Sequence, residues 1–159
     1  MHKGRDFLLA QVSNCVMQHK TLLESLEDHE KQAEDPRFRE LCTRYLPRMR
    51  QHQTMLEEYR GTLGEVSGEA FKNALGFVLG KAKDVADALR TDDFLRLVED
   101  SVMIRQSQDT FATFAAVGDR LGETRLAEIG RTGQKEHEEM AHEFNALIHE
   151  HFVKQAQAK

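Results

Sequence analysis

A chain of 159 residues is long enough to bury a full core as one domain, 1–159, and nothing in it calls for a second. Its 40% hydrophobic and 31% charged residues describe a soluble protein with a heavily charged surface, and no run of about 18 apolar residues exists to span a membrane. The net charge of -5 argues against sequence-independent nucleic-acid binding, which needs a basic face.

Two prolines, no tryptophan and many Ala, Leu, Glu, Lys, Arg and Gln favour helices. The start, Met1 to Asp6, leads into mixed sequence and not an apolar signal region, so a cytoplasmic location is expected. Cys15 and Cys42 stand alone on apolar stripes, as buried, reduced core thiols would.

The first helix is predicted from Gly4 to Ala33, with Leu8, Gln11, Cys15, Gln18, His19, Leu22, Leu26 and His29 sharing one face. At Glu34-Asp35-Pro36 the chain turns, Asp35 capping and Pro36 suiting the first helical position. The second helix turns Phe38, Cys42, Tyr45, Met49, His52, Gln53 and Leu56 inward. Pro47 lies inside it, where a proline removes one backbone hydrogen bond; the stripe keeps its phase, so a bent helix is expected.

Gly61 to Gly68, with three glycines and a serine, reads as a loop. A third helical segment, about Glu69 to Leu89, carries Phe71, Leu75, Val78, Val85 and Leu89 on one face. Phe77 and Leu79 form a second apolar edge, the expected interface of a homodimer. Thr91-Asp92-Asp93 caps a fourth helix that Gly122 ends, its inner face read as Met103, Gln106, Ser107, Thr110, Phe114, Val117 and Leu121. The last helix runs from about Thr124 to His151 or beyond. Its Gly130 and Gly133 each cost about 1 kcal/mol against alanine, so a close approach is expected there. The resulting architecture is all-α: a four-helix bundle with an additional short helix on the crossover.

Folding the two hairpins together brings polar residues to one height. These are Gln18 and His19, then His52 and Gln53, then Gln106 and Ser107, then Glu136 and His137. Leu126, Ile129, Met140, Phe144 and Leu147 set the stripe of the last helix, which puts Glu136 inside it and His137 on its flank. His19, His52 and Glu136 can then serve one Fe or Zn ion, with His137, Gln106 and Gln53 supporting them. A layer in which Glu136 merely hydrogen-bonds His52 or His19 satisfies the same pattern. Glu139 and His142 make a Glu-x-x-His spacing that the wheel turns to solvent. No nucleophile or glycine-rich phosphate loop points to catalysis.

The segment Gln106 to Leu147, with Phe111-Ala-Thr-Phe114-Ala-Ala-Val-Gly-Asp-Arg-Leu121-Gly122, resembles the ferritin-like YciE/YciF family of bacterial stress-associated proteins. The first helix, with His19-Lys20-Thr21-Leu22, and the layout from Pro36 to Gly64 are similar too. The resemblance implies a ferritin-like bundle, a dimer and a stress-associated role with no assigned reaction. Ferritin-like proteins with two irons use four carboxylates and two histidines. Here His19, Met49 with His52, and Gln106 or Ser107 stand where that resemblance would ask for acids. Glu136 alone remains, which implies that the two-metal centre is largely lost.

Overall fold

The computed structural model describes residues 4–65 and 92–158. They form four helices and, among the described residues, no strand: α1 (Arg5–Gln32), α2 (Pro36–Leu63), α3 (Asp93–Leu121) and α4 (Thr124–Gln157). The chain is an all-α four-helix bundle. The expected helix from Glu69 to Leu89, with Phe77 and Leu79, lies outside the described residues.

Each helix buries a seam that advances by alternating steps of three and four. On α2 it reads Phe38, Cys42, Tyr45, Met49, His52, Leu56, Tyr59 and Leu63. On α4 it reads Leu126, Gly130, Gly133, His137, Met140, Phe144 and Leu147. On α1, Val12, Cys15, His19, Leu22, Leu26 and His29 take the same spacing. Such a repeat keeps one stripe facing its neighbours when helices cross at about 20°, the packing of four-helix bundles.

The helix ends are chemically marked. Asp35 accepts a hydrogen bond from the Arg37 N–H at 2.8 Å, and Pro36 opens α2. Asp92 does the same for the Phe94 N–H at 2.8 Å. Gly122 closes α3 with φ 70°, the left-handed conformation that a side chain resists, and α4 starts two residues later. Helix α2 runs unbroken through Pro47.

The ends also define the connectivity. Arg5 donates to the Leu63 carbonyl, so the start of α1 meets the end of α2. The Asp35 N–H donates to Asp93, so the start of α2 meets the start of α3. Arg44 pairs with Glu143, Arg48 with Glu139 and Arg37 with Glu150, so α2 and α4 run antiparallel in one register. Leu63 and Asp93 therefore stand at opposite ends of the bundle. Helices α1 with α2 and α3 with α4 thus form two antiparallel hairpins.

Helix α3 departs from the expected face. Ile104, Ser107, Phe111, Phe114 and Gly118 are buried, while Gln106 and Leu121 are exposed and Met103, Thr110 and Val117 are half-buried. Ser107 and Phe114 face inward as expected, while the rest of the stripe is displaced by one residue, from Met103, Thr110 and Val117 to Ile104, Phe111 and Gly118. The cause is its partner: Gly118, Gly130 and Gly133 let α3 and α4 approach closely. A Cβ on Gly130 would lie 2.2 Å from the Ala115 backbone nitrogen, and one on Gly118 would lie 2.5 Å from that of Ala127. The tightest seam is marked by small residues, which carry no hydrophobic signal.

Asp100 is a second finding that the sequence reading lacked. It is fully buried on α3, where it accepts from His29 Nδ1 and Ser25 Oγ, each at 2.7 Å. Burial alone would push the His29 imidazole down, but the Asp100 hydrogen bond and charge outweigh it and raise its pKa. This trio fixes the height of α3 against α1.

Candidate metal centre

Halfway along the bundle the apolar core splits into two clusters. One holds Leu22, Met49, Ile104 and Met140, and the other Cys15, Leu56, Phe111 and Ile129. Between them lie three imidazoles: His19 from α1, His52 from α2 and His137 from α4. One nitrogen from each lies within 4.8 Å of the others, and together they are three buried histidines that can hold a metal ion. The remaining helix, α3, contributes no ligand. It contributes Phe111, whose ring centroid stands 5.8 Å from His19, 5.6 Å from His52 and 4.9 Å from His137.

Hydrogen bonds set the tautomers. The Gln53 amide nitrogen donates to the Val16 carbonyl at 3.3 Å and to Glu57 Oε1 at 2.7 Å, both acceptors only. Its oxygen therefore faces His19 Nδ1, 2.9 Å away, and that nitrogen must carry the proton. His137 Nδ1 donates to the Gly133 carbonyl one turn earlier, at 2.7 Å. In both rings Nε2 is left as an unprotonated lone pair.

Those lone pairs meet nothing. Among the described residues, the buried side-chain nitrogens and oxygens without a hydrogen-bond partner are His19 Nε2, His137 Nε2 and both nitrogens of His52. An unmade bond to a buried polar atom costs about 1–3 kcal/mol, and here the orphaned atoms gather in one place. Glu136 Oε2 stands 2.6 Å from His52 Nε2, yet the two do not align as a hydrogen bond.

The electrostatics suit ligation. Burial pushes His19 down to about 4, against support from Gln53, and pushes His52 down to about 4 with help from the Arg48 charge. Burial, then the neighbouring His19 and His52, hold His137 well below its ordinary value. All three are neutral at pH 7, the state in which an imidazole binds metal. With His52 neutral, its contact with Glu136 is not an ion pair. Burial raises the Glu136 carboxyl above the usual carboxylate range.

The expected residues are thus distributed differently from the sequence reading. His19 and His52 come together, and Gln53 supports His19. His137, expected on the flank, is fully buried at the centre, while the Glu136 side chain is 26% exposed at the edge. The ladder of Arg–Glu pairs explains the exchange: Glu136 follows Glu139 and Glu143 along the seam between α2 and α4, and His137, 100° away, faces the axis. Gln106 takes no part; it lies exposed beside a groove between α1 and α3. Glu139 and His142 are exposed as expected. Both cysteines are buried and unpaired, and burial pushes the Cys15 thiol up to about 12. Among the described residues, no helix is long and apolar enough to cross a membrane.

Comparison of the chain with protein-family models, with curated proteins and with solved structures finds no match.

Proposed function

We propose that the chain is a mononuclear metal-binding protein. Its ion is held by Nε2 of His19 and His137 and by one nitrogen of His52, and Glu136 is within reach. The observation that carries this reading is the convergence of imidazole nitrogens without a protein partner in a neutral, buried layer. A layer of side chains hydrogen-bonded among themselves would have satisfied those nitrogens within the protein.

Neutral imidazoles suit borderline ions, Zn(II) or Fe(II), better than Mg(II) or Ca(II), which take oxygen ligands. Nitrogens in one tetrahedral zinc shell stand about 3.3 Å apart, so the present span of up to 4.8 Å closes by about 1.5 Å at most, within reach of side-chain rotation. A pair of ions has no support. It would need bridging carboxylates, and among the described residues the carboxylate that touches the histidines, Glu136, is at the edge. The connectivity of two antiparallel hairpins supports the ferritin-like assignment, and the stress-associated role stays a proposal on that resemblance alone.

The test is elemental analysis of untagged protein purified without chelator, followed by titration of stripped protein with Zn(II) and anaerobic Fe(II). One ion per chain is expected, abolished by His52→Ala. Protein that binds neither ion would refute the proposal.

A further inference from the structure

The three-histidine centre is closed along the bundle axis. Leu22, Met49, Ile104 and Met140 seal one side, and Cys15, Leu56 and Ile129 the other. Phe111 closes the side towards α3. Gln53 and the exposed Glu57 also lead from the layer to water. They engage Nδ1 of His19, however, the protonated nitrogen on the far side of the ring from the lone pair. The carboxylate of Glu136 is different: it touches the layer at His52 Nε2 and is also 26% exposed.

We infer that Glu136 is the relay through which the ion enters and leaves the His19–His52–His137 centre, an inference that rests on that centre. A hydrated dication loses water reluctantly, and a partly exposed carboxylate replaces part of that shell before the imidazoles are reached. Glu139, exposed one turn on, adds negative charge at the mouth. Arg48, 3.3 Å from Glu139, sets an opposing charge beside the same opening. The seam between α2 and α4 is therefore the route, with an acid to accept the ion and an arginine to slow it. Because a relay serves both directions, it changes the rates of uptake and release and leaves the equilibrium nearly untouched.

The test is rapid mixing of the untagged full-length chain with Co(II) alone, followed by its visible absorption, and then release into excess chelator. Glu136→Ala is expected to slow uptake and release together by about tenfold, the lower end of what a focused charge contributes to an ionic encounter. Arg48→Ala is expected to speed both. Slower uptake with unchanged release would reduce Glu136 to an attracting charge. Faster release with unchanged uptake would make it an ordinary ligand. Either result, or unchanged rates in both variants, overturns the relay. Wild-type protein that takes up no Co(II) would instead remove the centre itself, and the relay with it. Both variants lie at the edge of the bundle, and far-UV circular dichroism confirms that they fold.

Discussion

Replacing Gly133 by alanine separates the metal site from the fold. A Cβ at this position would stand 2.3 Å from Phe111 Cδ1, 2.4 Å from Cγ and 2.6 Å from Cε1. Carbon atoms in contact settle about 3.5–4.0 Å apart, so the ring must retreat by roughly 1.2 Å or more. The phenyl ring has little free space, because His137, His52 and His19 surround it. Overpacking of this kind costs about 1–3 kcal/mol, and alanine returns about 1 kcal/mol of helix propensity. A net loss of about 0–2 kcal/mol is expected in urea unfolding of the metal-free protein, with metal affinity falling at least tenfold as the imidazoles are displaced. Gly61→Ala is the control: Gly61 is also helical, and a Cβ there meets nothing within 4 Å. It should be neutral or stabilising by up to about 1 kcal/mol, with affinity unchanged. A Gly133→Ala protein as stable and as avid as wild type would refute the packing of Phe111 against the histidine layer.

Three further outcomes follow from the same site. His52→Leu is expected to stabilise the metal-free protein by about 1–3 kcal/mol in urea unfolding, because it removes two orphaned nitrogens and breaks no hydrogen bond, while metal binding disappears; a large destabilisation would make His52 a structural residue. Gln53→Ala is expected to weaken zinc binding by about 10- to 100-fold in competition with a chelator, since it frees the His19 ring that Gln53 orients; unchanged affinity would contradict that role. Acid should unfold the metal-free protein through the layer. The folded-state pKa of His19 and His52 is depressed to about 4 from an ordinary 6.5, so the unfolded chain binds protons first. Stability is then complete above about pH 6.5 and falls as pH drops towards 4, by up to about 3 kcal/mol per histidine. A flat profile across that window, read by thermal melts at each pH, would contradict neutral imidazoles.

The sequence carried much of this fold because capping and apolar spacing are local signals. Asp35-Pro36, Asp92 and Gly122 marked helix ends where the structure has them. On α2, Phe38, Cys42, Tyr45, Met49, His52 and Leu56 are bulky or flanked by bulk, so their seam stood out. Helices α3 and α4 hid theirs. The seam of α4 runs through Gly130, Gly133 and His137, none of which counts as apolar, and so Glu136 was placed inward instead. Counting alternating steps of three and four from Leu126 to Leu147 passes through His137 and misses Glu136, a signal present in the sequence. On α3, Asp100 and Gly118 obscure the stripe in the same way, so that Ser107 and Phe114 are legible while Gln106, one residue from Ser107, reads as inward although it is exposed. The misaligned contact of Glu136 with His52 and the orphaned nitrogens had no sequence signature. They depend on the positions of three helices at once.

The central claim is that three neutral imidazoles offer lone pairs to one ion, Nε2 of His19 and His137 and one nitrogen of His52. Long-range proton–nitrogen NMR of the histidine rings reads this directly, before and after one equivalent of Zn(II) at pH 7. Metal-free protein should show His19 and His137 as neutral rings protonated at Nδ1, and zinc should shift Nε2 of both, together with one nitrogen of His52. Imidazolium signals for these rings at pH 7, or zinc shifts confined to the exposed His142 and His149, would contradict the account.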